Sequence, residues 1–201
     1  MSDAAPQLDP DAPTRRPSNR RELILEAAIE LFHERGYPAT GVDDIGKAVD
    51  VSGPAIYRHF SSKEDILLEA IRLAADEVHE ANQNARATGS GPMAVLEAYV
   101  RAYARMALER SALIAVWSSE ARHLSSQRRS PMSRRLRAWS TEWVDELCKA
   151  RPELSEDDAR VLVAGAIGLI TTTATTDLGA DQLEDRITSM AMATLAAPPT
   201  T

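Results

Sequence analysis

The side chains that could carry out catalysis are few and scattered along the chain. The four histidines show no metal-ligand spacing, and the single cysteine, Cys148, excludes an intramolecular disulfide. The acidic pairs Asp43-Asp44 and Asp157-Asp158 each fall in the first turn of a predicted helix, where carboxylates complement the helix dipole. Glycine-rich phosphate loops and nucleophile motifs are missing from the sequence. The sequence therefore predicts a protein that is not an enzyme and that needs no metal or cofactor.

Side chains able to contact DNA cluster instead in one short stretch. Arg58 could read guanine or hold a phosphate, and Thr40, at a predicted helix start, could bind phosphate through its amide and hydroxyl. The neighbouring Gly53, Pro54 and Ala55 are small, and the last two offer at most apolar contact with a thymine methyl group. Direct reading of bases by this stretch is therefore expected to be sparse.

The same stretch contains the starts of three helices and two tight turns. Thr40 with Asp43 predicts one helix start, and Ser52 with Pro54 predicts a second. A third helix is predicted to start within residues 61–65. Two short helices joined by a tight turn form a helix-turn-helix, whose second helix enters the major groove of DNA.

The stretch resembles the DNA-binding signature of the TetR family of transcriptional regulators. That signature reads approximately T-V-x-x-I-A-x-x-A-G-V-S-x-G-x-L-Y-x-H-F-x-S-K-E. The residues that match it, with one inserted residue before Val42, are Thr40, Val42, Ile45, Val51, Ser52, Ile56, Tyr57, His59, Phe60, Ser62, Lys63 and Glu64. The resemblance covers about the first third of the chain. It implies an all-α protein with an N-terminal three-helix DNA-binding domain and a C-terminal helical domain for ligand binding and dimerisation.

The resemblance also implies roles for individual residues. Tyr57 and His59 would contact the DNA backbone, and Lys63 would meet a phosphate, while Tyr57 could also pack its ring in the core. The whole set predicted to bind DNA is Arg20, Thr40, Ser52, Gly53, Pro54, Ala55, Tyr57, Arg58, His59 and Lys63. The sequence departs from the signature at Gly46, where Ala is usual, at Pro54, where Gly is usual, and at Asp50, where the turn normally has Gly. We expect the turn to survive, because Asp tolerates a left-handed backbone better than most residues.

The charge of the chain argues against non-specific binding to nucleic acid. The net charge is −7, and residues 40–65 hold three basic and five acidic side chains. Binding must therefore depend on the placement of a few contacts, and we expect a shallow dependence of affinity on salt. The proline-containing arm at residues 1–17 ends in Arg15 and Arg16. It is either a solvated tail or a DNA-contacting arm.

The hydrophobic pattern predicts about nine helices and no strands. The expected organisation is a flexible arm at 1–17, a DNA-binding domain at 18–65, a linking helix four at 63–86, and an effector-binding and dimerisation domain at 66–197. The remaining helices are predicted at 19–35, 92–109, 111–124, 131–150, 156–176 and 182–196. No apolar run approaches membrane-spanning length, and the N-terminus lacks a signal peptide. We therefore expect a cytoplasmic protein.

Two groups of apolar residues in the second half suggest a ligand pocket and a subunit interface. Aromatic and Met side chains at helical spacing are either core or pocket, and the family resemblance implies a pocket. The predicted pocket residues are Tyr99, Tyr103, Met106, Leu113, Trp117, Trp139 and Trp143. The last two helices are apolar on wide faces and would form a two-fold dimer as in the family. The predicted interface residues are Leu162, Ala166, Ile167, Ile170, Ile187 and Met190.

An arginine-rich segment lies between Ala121 and Thr141, with six arginines and no acidic residue. It is either a solvated face that pairs with acidic surface, or an anion site for the phosphates of an acyl-coenzyme A effector.

Together these features predict a ligand-responsive regulator, a repressor that a small apolar or amphipathic effector releases from a palindromic operator. Its partners would be double-stranded DNA, the effector and a second copy of the chain, with no membrane. The alternative is a helical small-molecule-binding protein that has lost operator recognition.

Overall fold

The computed structural model describes residues 20–87, 89–176 and 182–198, and every regular element in these ranges is helical. The all-α architecture predicted from the sequence is confirmed, whereas the arm at 1–17 lies outside the described residues. A 3-10 helix at Ala121–His123 joins the sixth and seventh α-helices. The α-helices are α1 (Arg20–Arg35), α2 (Val42–Ala48), α3 (Gly53–Ile56), α4 (Lys63–Arg86), α5 (Pro92–Glu109), α6 (Ser111–Glu120), α7 (Ser126–Ala150), α8 (Glu156–Ala174) and α9 (Leu183–Leu195).

The first three helices pack with the N-terminal half of α4 around one hydrophobic core. Ile45 of α2 and Ile56 of α3 are fully buried in it, together with apolar residues of α1 and α4. Helix α6 packs across α1 and α4, and it adds Leu113 and Val116 to this core. Leu113 therefore does not belong to the aromatic group of the second half, where the sequence placed it.

A second core lies between α5, α7, α8, α9 and the C-terminal half of α4. Its largest fully buried side chains are Trp143, Tyr99 and Tyr103. Because α4 contributes Ile66 to the first core and Val78 to the second, one uninterrupted helix connects the two halves.

Local capping explains several of the helix boundaries. The Ser62 hydroxyl accepts a hydrogen bond from the Asp65 amide at 3.1 Å and starts α4. Gly36, with φ +80°, ends α1 in the left-handed conformation that glycine adopts without strain. The predicted cap of α2 is wrong by one residue. Its N-cap is Gly41, whose amide donates to the Asp44 carboxylate at 3.0 Å.

The start of α7 also differs from the sequence prediction. The helix begins at Ser126 and continues through Pro131, where a start was expected. The preceding Ser125 amide donates to Glu64 of α4 at 2.7 Å, so a contact with a distant helix fixes the boundary. The predicted helix at 111–124 instead ends at Glu120 and gives way to the 3-10 helix.

Candidate nucleic-acid interface

The turn between α2 and α3 is held by the backbone of Gly46. Its carbonyl accepts hydrogen bonds from the amides of Val51 at 2.9 Å and Val49 at 3.2 Å. A Cβ atom at Gly46 would lie 2.6 Å from the Val51 carbonyl oxygen, closer than any relaxed contact. Asp50 takes the left-handed conformation, with φ +55°, as predicted. The turn therefore depends on a glycine at position 46, where the family signature has alanine.

The residues of α3 and its flanks present a small exposed tip. Ser52, Pro54 and Arg58 are exposed, Ala55 and His59 are half-buried, and the backbone of Gly53 is covered. Beside them lies a groove of about 460 Å³. Its lining residues are Gly41, Val42, Asp43, Gly53, Pro54, Tyr57 and Lys63.

The two aromatic residues of this segment lie on opposite sides. Phe60 is 2% exposed and belongs to the core, and the Arg21 guanidinium lies 4.6 Å from its ring centroid. Tyr57 is 55% exposed, so its ring is not packed in the core. Tyr57 instead lines the groove.

Lys63 is tied into the fold by its ammonium group. Nζ donates to the carbonyl oxygens of Tyr37 at 2.8 Å and Thr40 at 2.9 Å, and it lies 4.3 Å from the centroid of the Tyr37 ring. An ammonium group has three donors, so one remains for a phosphate. Lys63 thus fastens the segment between α1 and α2 to the start of α4, a role that the sequence alone did not reveal.

The structure does not support a phosphate contact by the hydroxyl of Thr40. The residue is 1% exposed, and its hydroxyl lies within hydrogen-bond distance of the carbonyl oxygens of Leu31 and Gly36. Thr40 precedes the helix rather than capping it, because its side chain is needed to close the end of α1. Arg20 is exposed, and its guanidinium donates to the Val49 carbonyl at 3.4 Å, next to the turn.

The charges of residues 40–65 do not all face the same surroundings. Glu64 and Asp65 lie against Arg128 of α7, at 3.8 and 3.0 Å. The hydrogen bond from the Ser125 backbone amide holds the pKa of Glu64 below its usual value. Burial raises the pKa of Asp65, but hydrogen bonds from Ser61 and Arg128 outweigh it and leave a lowered pKa. Both carboxylates are engaged with the second half, so the exposed tip is less acidic than the sequence count suggests.

A polar contact between the two halves surrounds Tyr37. The Tyr37 amide donates to Glu120 at 3.2 Å, and His123 stacks on the Tyr37 ring with centroids 5.5 Å apart. His123 Nε2 also lies 3.4 Å from the Glu120 carboxylate, which is almost fully buried. No local pattern in the sequence could indicate this contact, because its partners are 83 residues apart.

The predicted pocket residues of the second half form an aromatic cluster. Adjacent rings have centroids 5.3–6.2 Å apart around Tyr103 and Trp143. Burial raises the pKa of Tyr103 to about 12, and its hydroxyl lies 2.8 Å from that of Thr171. The members brought together are Tyr99, Tyr103, Trp117, Trp139 and Trp143. Met106 lies in the same core but also borders a surface groove between α4 and α5. The rings pack against one another and form part of the core rather than enclosing a cavity.

A groove of about 450 Å³ lies beside this cluster, between α7 and α8. Trp139, Val144, Val163 and Ile167 give it an apolar floor, and Arg160 is among the polar residues at its edge. Within the described residues, no acceptor reaches the buried indole N–H of Trp139. The groove could hold an apolar ligand.

The last two helices leave an apolar face uncovered. Val161 of α8 is 72% exposed and Met190 of α9 is 53% exposed. Three small residues of α8 are exposed as well, namely Ala164, Gly165 and Gly168, of which Ala164 and Gly168 also line the groove between α7 and α8. The predicted interface was partly wrong. Ala166, Ile170 and Ile187 are fully buried in the core of the same chain, while Leu162 and Ile167 are half-buried.

Two further findings concern other kinds of site. In the described ranges, His, Cys, Asp and Glu side chains nowhere gather in threes around a point that could hold a metal ion. None of the helices described is both long enough and apolar enough to cross a membrane.

Known proteins share the sequence of the helix-turn-helix segment and the helical fold described above. The family model "Bacterial regulatory proteins, tetR family" matches residues 24–70. The transcriptional repressor KstR2 of Rhodococcus jostii is 35% identical over 56% of this chain and 55% of its own. KstR2 of Mycolicibacterium smegmatis is 30% identical over 59% of this chain and 57% of its own. The chain thus matches a little over half the length of these two relatives.

Solved structures show the same fold over nearly the whole chain. KstR2 of Mycobacterium tuberculosis, described as a ketosteroid transcriptional regulator, has a TM-score of 0.78 with 23% identity, and the match covers 92% of this chain and 97% of that one. AibR, solved with isovaleryl coenzyme A and operator DNA, has a TM-score of 0.78 with 20% identity, over 90% of this chain and all of that one.

Proposed function

The chain belongs to the TetR family of bacterial regulatory proteins, and from this premise we propose that it is a sequence-specific DNA-binding repressor whose operator affinity a small-molecule effector lowers. The observation that carries the proposal is the exposed tip of α3. Pro54, Tyr57 and Arg58 are exposed there, while Ile45 and Ile56 anchor the helix-turn-helix in the core formed with α1 and α4. A short helix presented in this way suits the major groove.

The exposed apolar face of α8 and α9 supports a two-fold dimer. Gly165, which is exposed on the side of α8 that faces α9, permits close approach of a second copy, and the exposed Val161 and Met190 would be covered by it. A two-fold axis would place two recognition helices on a palindromic operator, with half-sites about one helical turn or a multiple apart.

The proposed effector is apolar or amphipathic and binds in the second half. The groove between α7 and α8 and the neighbouring aromatic cluster supply apolar walls. An acyl-coenzyme A is the first candidate, because Arg122 and Arg129 are exposed near the start of α7 and arginine suits phosphate. AibR was solved with such a ligand. The side chains of Arg134, Arg135 and Arg137 lie outside the described residues.

Coupling between the two halves would run through the start of α4. Glu64 and Asp65 contact Ser125 and Arg128 beside α7, so a ligand that shifts α7 also shifts α4. The effector would favour a dimer shape whose two recognition helices no longer match the operator spacing.

Selection of bound DNA from a random pool tests the DNA-binding part of the proposal. We expect an inverted repeat, and a gel shift with the DNA upstream of the protein's own gene should give a complex that an effector dissolves. Failure to enrich any motif would favour the alternative of a ligand-binding protein without operator recognition, which the small tip at Gly53–Ala55 and the net charge of −7 support.

Thermal unfolding tests the effector class. An acyl-coenzyme A should raise the melting temperature and release DNA, whereas coenzyme A alone and the free fatty acid separate the phosphate contribution from the apolar one. If the thioester neither stabilises the protein nor releases DNA, the acyl-coenzyme A assignment is wrong.

A further inference from the structure

The first turn of the recognition helix α3 carries no side chain that can hydrogen-bond to a base. Gly53, Pro54 and Ala55 have neither donors nor acceptors beyond the backbone. The N-terminal end of such a helix normally lies closest to the base edges. A polar group from elsewhere would therefore be needed for direct reading at this place.

Asp43 of α2 places its carboxylate at this end of α3. Oδ1 of Asp43 lies 2.0 Å from the position that a Cβ atom of Gly53 would occupy. The carboxylate thus fills the space of the missing side chain at the first residue of α3. Asp43 is exposed and lines the same groove as Pro54 and Tyr57.

The Asp43 carboxylate also differs from its acidic neighbours in having no partner in the described part of the chain. Asp44 accepts a hydrogen bond from the Gly41 amide and lies 4.0 Å from Lys47, while Glu64 and Asp65 are engaged by α7. Asp44 thus contributes a hydrogen bond to the fold, whereas Asp43 contributes only its charge in the first turn of α2, where it complements the helix dipole.

An ionised carboxylate accepts hydrogen bonds and cannot donate them, which restricts the bases it can read. In the major groove, only cytosine N4 and adenine N6 present amino donors. Adenine also has the acceptor N7 beside its donor, which repels a carboxylate, whereas cytosine does not. Cytosine is therefore the base that suits Asp43 best.

We infer that Asp43 is a specificity-determining residue, which accepts a hydrogen bond from the N4 amino group of one cytosine in each operator half-site. The inference rests on the proposed DNA-binding function and assigns one base contact within it. This position of the Asp43 carboxylate requires glycine at position 53, because any side chain there would displace the carboxylate.

Selection from a random DNA pool with the full-length protein and its Asp43→Asn variant tests the inference. The wild type should enrich cytosine at one position of each half-site. In Asp43→Asn, whose amide can both donate and accept, the preference at that position should fall about tenfold, the usual cost of one mismatched pair, while other positions keep theirs. Asp50→Asn is the matched control, since it removes the same charge from the exposed turn and should leave every base preference unchanged.

Gly53→Ala provides a second test that keeps the charge. It forces the Asp43 carboxylate to move, and we expect it to weaken the same cytosine preference as Asp43→Asn. Melting temperatures of both variants establish that they are folded.

The outcomes separate this inference from the proposed function. If Asp43→Asn binds all sequences more tightly with unchanged base preferences, Asp43 only repels phosphate and the inference is overturned. A wild-type protein that enriches no motif at all would overturn the proposed function, and the base contact with it.

Discussion

At the scale of single residues, two cations of the helix-turn-helix have different surroundings and are expected to affect binding differently. Arg58 is exposed just beyond the C-terminal end of α3, whereas Lys63 donates to the carbonyl oxygens of Tyr37 and Thr40. Loss of Arg58 should therefore remove only a DNA contact. Loss of Lys63 should remove a phosphate contact and also loosen the segment between α1 and α2.

We predict that Arg58→Ala relaxes sequence preference at one position by about 1–3 kcal/mol without lowering the melting temperature. Lys63→Ala should weaken binding to all sequences alike and destabilise the fold by about 1–3 kcal/mol, because two charge-assisted hydrogen bonds are lost. Binding titrations on operator and random DNA, with thermal unfolding, measure both effects. Lys47→Ala is the control, since it removes an exposed charge from the same unit. Equal scaling of affinity by Arg58→Ala and Lys63→Ala would contradict this division of roles.

At the scale of elements, the sequence predicts a helix well where its ends are capped locally, and less well where a distant element fixes them. The bounds of α4 and α5 follow from Ser62 and from the break at Gly91-Pro92, and the structure confirms them. The start of α7 depends on the contact between Ser125 and Glu64, which lie 61 residues apart.

The residues of the candidate site also differ in whether the local sequence reveals them. Tyr57 and Arg58 could be recognised from α3 itself, whereas Asp43 becomes notable only through its distance to Gly53.

The contact between α4 and α7 should be sensitive to acid. The pKa of Glu64 is lowered in the fold, chiefly by the hydrogen bond from the Ser125 amide, so the unfolded state binds the proton more tightly. Its stabilising effect is therefore complete above the unfolded pKa of about 4.3 and is lost as the pH falls through the lower folded value.

We predict that Glu64→Gln lowers the melting temperature at pH 7, and that the difference from the wild type shrinks as the pH falls below about 4. Thermal unfolding across this pH range is the measurement. Glu80→Gln removes a charge from an exposed position of the same helix, and its difference from the wild type should stay small throughout. A deficit in Glu64→Gln that does not change with pH would mean that the carboxylate's charge is not responsible.

At the scale of the whole molecule, DNA binding and dimerisation are expected to be inseparable. The exposed tip offers few direct contacts per subunit, and the net charge of −7 adds no general attraction to DNA. One subunit would therefore bind weakly and with little specificity. Joining two recognition helices makes the second contact intramolecular, which can raise affinity by about 100-fold or more without any new type of contact.

This dependence predicts that Val161→Arg abolishes operator binding although it lies on α8, far along the chain from the helix-turn-helix. Val161 is 72% exposed on the uncovered apolar face and is not among the residues that line the groove between α7 and α8, so an arginine there would place a charge and a long side chain between the subunits. Sedimentation should show a monomer with unchanged helical content, and operator affinity should fall at least 100-fold to the level of an isolated half-site. Ala94→Arg, which places an arginine at an exposed position of α5 outside this face, should remain dimeric and bind normally. A monomeric Val161→Arg that still binds the full operator tightly would mean that one subunit supplies the specificity, and that the exposed face of α8 and α9 has another purpose.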